Sequence, residues 1–193
     1  HLNLLIHPNP NLSSKIVTVL ATATVLVLVI MILVVQIAAA LMIDYITKDL
    51  TTVTKGNVVH GCNCVGGFGS GVAGAIRKKW PHAYEAFRES GVGEDLLGGV
   101  NILLRIETDV PVIVNGYTQL TCGYDGKRYA DPEAIQKVLE QTAEFADGGS
   151  YTDIYMPQIG CGLGGLSWED EVLPIVEKVS SDFPNLNIHI CDI

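Results

Sequence analysis

Basic residues are scarce in this chain: 12 Lys and Arg stand against 21 Asp and Glu, a formal net charge of -9. So acidic a surface repels polyanions as a whole, which argues against direct nucleic-acid binding except through a local basic patch. Cysteine is sparse too. Five at irregular spacing, an odd number, do not make a disulfide framework, so a reducing, cytoplasmic-type compartment is expected. No repeat of 20–50 residues is detectable, which excludes a solenoid or propeller. A chain of 193 residues has room for one ordinary domain with an appendage and can bury a core without disulfide or metal staples.

Charge is missing altogether from residues 16–41, "IVTVLATATVLVLVIMILVVQIAAAL", where Gln36 and a few threonines are the polar residues. About 20 apolar residues suffice to span a bilayer as a helix, so this is a transmembrane or signal-anchor candidate by length. Lys15 is the only fixed positive charge before it, which leaves little orientation signal. It also lacks a small-residue cleavage pattern in a polar c-region. Two other readings compete. A pair of buried core strands produces the same Val/Leu/Ile run. Alternatively, residues 1–41 lie upstream of the real start, because the chain opens on His1 and a self-contained pattern begins at Met42. A membrane partner is expected only if 16–41 is translated and inserted, and function is sought after Met42.

From there strands and helices alternate. "MIDYIT" (42–47), "GNVVHG" (56–61), "GGVNILLRIE" (98–107), "VPVIVNGYT" (110–118), "DIYMP" (153–157) and "NLNIHICDI" (185–193) read as strands, the third and fourth as a hairpin. "SGVAGAIRKKW" (70–80) turns helical, with Val72, Ile76 and Lys79 or Trp80 on one face; Pro81 interrupts it and a second helical piece ends at Gly91. The helix 131–146 has Asp131 as cap, Pro132 in its first turn, and Ile135, Val138, Leu139 and Thr142 inward. Ser167 caps the last helix with Asp170 as capping-box partner, and Pro174 inside it marks a kink or a restart. The fold class is α/β, one sheet with helices on both faces.

The chemistry concentrates in two glycine-rich loops, each following a strand: "VVHGCNCVGGFGSGVAGAI" (58–76) and "QIGCGLGG" (158–165). Gly69, Gly71 and Gly74 match the G-x-G-x-x-G dinucleotide pattern, but the second strand and its acidic residue about 20 positions on are missing. There is no G-x-x-x-x-G-K-[ST] either, which excludes a nucleoside triphosphate P-loop. What remains is the physics beneath those motifs. Glycine allows positive φ and close approach to a ligand, and a helix starting near Ser70–Gly71 aims unpaired N–H groups at the loop. Two such loops together suit a diphosphate. "HGCNC" invites a zinc reading through His60, Cys62 and Cys64, but Cys-x-Cys on a strand has a poor tetrahedral bite and no usefully spaced fourth ligand. No metal is expected.

These two stretches together resemble the macro domain family, the ADP-ribose-binding module, over residues 42–193. The similar branch holds the yeast- and phage-type ADP-ribose-1''-phosphate phosphatases and the terminal ADP-ribose protein glycohydrolases. The resemblance implies a three-layer α/β/α fold with a central mixed sheet. It implies a small-molecule ADP-ribose derivative as partner, free or on an ADP-ribosylated macromolecule; no cofactor is expected. It places Asp49, with Leu50 beside it, at the adenine; Asn63 at the distal ribose; Gly69, Ser70, Gly71 and Val72 around that ribose and the diphosphate. Gly160, Cys161, Gly162, Leu163 and Gly164 would close over the diphosphate, and His60, with Asn63, would carry catalysis. Two departures stand out. The glycohydrolases have an aspartate where this chain has Gly164, and a catalytic lysine where the strand end "NGYTQ" leaves Gln119 as a binding residue. The implied activity is hydrolysis of ADP-ribose-1''-phosphate. The alternatives are removal of ADP-ribose from a macromolecule, deacylation of O-acetyl-ADP-ribose, or a non-catalytic reader. In the polar loop 120–132, Lys127 or Arg128 could contact a terminal phosphate and a tyrosine could pack on the ribose, against a plain solvated connection.

Overall fold

The computed structural model describes residues 10–104 and 109–191, with backbone alone for 10–16 and 35–41. The chain divides into two units, His1–Ile37 and Ala38–Ile193. The apolar run is helical: α1 spans Pro10–Leu41, most of it in the first unit. The reading of 16–41 as buried core strands is therefore overturned. The described side chains Val17–Val34 lie exposed on every side of the helix, so no sheet buries them.

The second unit follows the expected alternation. Strand β1 (Ile43–Ile46) is followed by a 3-10 turn Leu50–Thr52 and β2 (Asn57–Asn63). Helices α2 (Gly71–Lys79) and α3 (Pro81–Glu89) come next, split at Trp80 because Pro81 cannot donate into the preceding turn. Then come β3 (Val100–Leu103), β4 (Val112–Gln119), α4 (Pro132–Asp147), β5 (Asp153–Met156), α5 (Leu173–Asp182) and β6 (Asn187–Cys191). The third expected strand reached to 107; residues 105–108 lie outside the described residues.

The six strands form one sheet in the order β1-β6-β5-β2-β4-β3. Every pair is parallel except β3 against β4. Central β2 and β4 are buried along nearly their whole length, which is why "NVVHGCN" and "VIVNGYT" show little alternation. On one face, Val59, Val112 and Val114 pack against Ile135, Val138 and Leu139 of α4 and Val176 and Val179 of α5. On the other, Val58, Cys62, Ile113 and Tyr117 pack against Ile76 at α2 and Ala83 and Phe87 of α3. The result is the mixed three-layer α/β/α fold.

Helix starts follow their caps. Asp131 accepts the amides of Glu133 and Ala134, so α4 begins where expected. The last helix differs in detail. Trp168–Val172 is a π-helical turn, and α5 restarts at Leu173 with Pro174 in its first turn. Ser167 Oγ still accepts the Asp170 amide at 3.3 Å, but the carboxylate that returns to the Ser167 amide is Glu171, at 3.0 Å. The wider turn brings the residue four on, not three, back over the cap. This corrects the capping-box partner.

Candidate functional site

The C-terminal ends of β2, β4 and β5 open into a cavity of about 490 Å³, within the usual range for small-molecule sites. Asn63 closes β2 and organises the first loop. Its Oδ1 accepts the amides of Val65 (3.2 Å) and Gly67 (2.9 Å), and its Nδ2 donates to the Gly67 carbonyl at 2.7 Å. A Cβ at Gly67 would stand 2.9 Å from Asn63 Nδ2 and 3.2 Å from Cys122 Sγ, so the loop can lie this close to the strand end only with glycine there. One amide hydrogen of Asn63 remains for a ligand.

Past Gly69 the chain turns into α2. Ser70 has N-cap geometry, yet its side chain makes no capping hydrogen bond, and the first turn holds no acidic residue. The first helical bond runs from the Gly74 amide to the Ser70 carbonyl. Among the described residues, the amides of Gly71, Val72 and Ala73 therefore have no protein acceptor. Three donors and the positive end of the helix dipole face the cavity that Ser70, Gly71, Val72 and Ala73 line. Arg77, Lys78 and Lys79 end the same helix, in keeping with that dipole.

The second loop lines the same cavity with Gly160, Gly162, Leu163 and Gly164. It is pinned from outside: the Tyr129 and Ala130 amides donate to the Gly164 carbonyl at 2.9 and 3.0 Å, and the Leu166 amide donates to the Gly160 carbonyl at 3.1 Å. The amides of Gly162, Leu163 and Gly164 have no protein acceptor among the described residues. A Cβ on Gly164 would collide with the Gly160 carbonyl oxygen and come within 2.8 Å of the Ala130 methyl. The departure from the glycohydrolase pattern at this position is thus built into the loop's packing.

The wall brings together Asn63, Gly69, Ser70, Gly71, Val72, Gln119, Gly160, Gly162, Leu163 and Gly164. Four candidates lie elsewhere. His60 is the main correction. Val58, His60 and Cys62 point to the α2/α3 side of β2, and that parity buries the imidazole completely. Its ring meets Phe68 edge-on at 5.3 Å. Asn115 Nδ2 donates to the Ala83 carbonyl at 2.9 Å, so Asn115 Oδ1 is left to accept from His60 Nε2, at 2.8 Å. Burial pushes the imidazole down to about 4, against the opposing hydrogen bonds to Asn115 and the Gly61 backbone. His60 is a neutral core residue tying β2 to β4, not a group on the cavity wall.

Asp49 caps the 3-10 turn, its Oδ1 accepting the Thr51 amide and hydroxyl at 2.8 Å each. The Thr51 hydroxyl, then the amide, hold its carboxyl below the usual range. Leu50 is 1% exposed in the core. Neither lines this cavity, because the short turn after β1 aims one at its own amides and the other inward. Cys161 points away from the main cavity into a neighbouring hollow of about 460 Å³ with Tyr45, Thr47, Gln158 and Gly162. Its thiol is pushed up to about 11, mainly by burial. The two hollows share Gln158 and Gly162, so they adjoin.

The loop 120–132 behaves as a solvated connection at its basic residues. Lys127 pairs with Asp125 at 2.6 Å and Arg128 with Glu171 at 2.6 Å, and neither lines the cavity. Tyr124 and Cys122 of that loop do line it. Sequence reasoning missed Phe68, Thr118, Cys122 and Gln158 as wall residues; strand-end position alone marked Thr118 and Gln158. Among the described residues no carboxylate, imidazole, lysine or arginine lines the cavity. Among the described residues no group of three or more His, Cys, Asp or Glu could hold a metal ion.

A family model described as Macro domain matches residues 59–174. An uncharacterized 17.5 kDa protein of Enterobacteria phage T4 is 31% identical over 147 residues, 73% of this chain and 92% of its own. The ADP-ribose 1''-phosphate phosphatase of Candida albicans is 29% identical over 167 residues, 77% of this chain and 98% of its own. Among solved structures, the macrodomain of Mycobacterium tuberculosis DarG superposes with a TM-score of 0.64 over 78% of this chain and 97% of its own. At 22% identity that likeness is one of fold alone.

Proposed function

The chain belongs to the Macro domain family, and we propose that it binds ADP-ribose between its two loops and hydrolyses ADP-ribose 1''-phosphate to ADP-ribose and phosphate. One observation carries the binding: Gly71–Ala73 and Gly162–Gly164, whose amides have no protein acceptor among the described residues, line a single cavity, Gly71 to Ala73 at a helix N-terminus. A diphosphate there would meet donors from both loops without a basic side chain. The phosphatase of Candida albicans, matched over nearly its full length, supports the choice of reaction. In that reaction water adds to phosphorus, the bond from phosphorus to the ribose 1''-oxygen breaks, and a proton ends on that oxygen. Phosphoryl transfer asks chiefly for position and charge stabilisation, which the loop amides and the remaining Asn63 hydrogen would supply. His60 is turned into the core, so this reading assigns it no direct contact with the phosphate.

The absence of any carboxylate, imidazole, lysine or arginine among the lining side chains favours one second reading, a non-catalytic ADP-ribose reader. Calorimetry with ADP-ribose, followed by phosphate release from ADP-ribose 1''-phosphate, separates the two. Binding with turnover is the expected result. Binding without turnover leaves the reader, and no binding at millimolar ligand overturns both.

A further inference from the structure

Residues 16–41 take no part in the proposed chemistry, and their helix has a surface that water alone does not suit. We propose that Val17–Val34 of α1 crosses a lipid bilayer. Three observations carry this independently of what the cleft binds. First, these 18 residues form one continuous helix with mean hydropathy 2.9 and none of their side chains buried. At 1.5 Å per residue they span roughly 27 Å, close to the ~30 Å hydrocarbon thickness, and the helix continues free of charge on the C-terminal side to Leu41.

Second, the apolar surface goes all the way round. Thr18 and Thr22 share a face, but Thr24 lies about 200° around the axis from Thr22 at 100° per residue. No polar stripe exists for a helix lying flat in the headgroup layer, which needs one charged or polar face. A core helix would be apolar all round too, but it would be covered. Third, the hydroxyls of Thr22 and Thr24 satisfy themselves. Thr22 Oγ1 donates to the Thr18 carbonyl at 3.1 Å and the Val19 carbonyl at 2.9 Å, and Thr24 Oγ1 to the Leu20 carbonyl at 2.9 Å. Hydrocarbon offers no partner to a hydroxyl, so hydroxyls folded back on their own helix are what a lipid-facing segment needs.

The test uses the full chain made in bacterial cells, with membranes washed in alkaline carbonate and floated through a density gradient. The intact chain is expected to float with the lipid after the wash. The double variant Leu26→Arg, Ile30→Arg puts two guanidinium groups near the bilayer centre and is expected to cut the floating fraction at least tenfold. Thermal unfolding of the soluble unit reports that the variant is still folded. An intact chain that stays at the bottom of the gradient, that carbonate releases, or that remains soluble as an oligomer overturns the proposal. So does a mass showing that residues 17–34 have been cleaved away.

Discussion

His60 is the residue whose chemistry and position part company most. Its type suited acid–base work, but the parity of β2 sends it into the core. Two consequences can be measured. The unfolded chain takes up a proton on this imidazole near pH 6.5, while the folded chain resists until about pH 4. The stabilisation from keeping it neutral is complete above pH 6.5 and is lost as pH falls towards 4, about 3 kcal/mol in all. Urea titrations between pH 7 and 4.5 should therefore show a falling midpoint that His60→Gln flattens; an equal slope in both proteins would contradict the buried, neutral ring. Gly164 is the second such residue. Gly164→Asp, which copies the glycohydrolase pattern, should destabilise by about 1–3 kcal/mol through overpacking and weaken ADP-ribose binding, rather than confer glycohydrolase activity. Unchanged melting and unchanged calorimetry would show that the loop has slack the packing does not suggest.

At the scale of elements, the decisive one is α2. Its N-terminus lacks both a side-chain cap and an acidic first turn, so its stability and its ligand compete for the same three amides. Ser70→Asp should cap the helix, raising stability by about 0.5–1 kcal/mol. The same carboxylate would occupy the anion site and lower ADP-ribose affinity tenfold or more. Opposite changes in melting temperature and in calorimetric affinity are the signature; parallel changes would mean that the ligand does not use this helix end. Elements with a local cause were readable in advance. Asp131 starts α4, Pro81 separates α2 from α3, and Gly91, at φ 78°, ends the turn after α3. The π-helical turn at Trp168–Val172 was not, because it depends on Glu171 reaching both the Ser167 amide and Arg128.

For the molecule as a whole, the division after Ile37 predicts that residues 42–193 fold without α1. That fragment should unfold in one cooperative step and bind ADP-ribose within about twofold of the full chain by calorimetry, since every residue lining the cavity lies within it. A fragment that fails to fold, or that binds far more weakly, would make α1 part of the domain. The acidic net charge acts at the same scale. Lys127 and Arg128 are paired to carboxylates, and among the described residues no basic side chain lines the cavity, so under the proposed reading the loop amides supply the attraction for an anion.

The sequence by itself determined the α/β alternation, the charge-free segment and the pair of glycine loops. Those rest on local periodicity, caps and the conformational freedom of glycine at positions such as Gly160, φ 79°. Tertiary structure decided which side chains reach the cavity. Asn63 and Gln119 do because they end central strands; His60 does not because it sits further back in β2, beneath Phe68 and bonded to Asn115; Asp49 does not because its own turn claims its carboxylate. Strand parity against a particular neighbour, and the inside and outside of a loop, are set by pairing between segments far apart in the chain. Residue type and spacing along one segment carry no record of them.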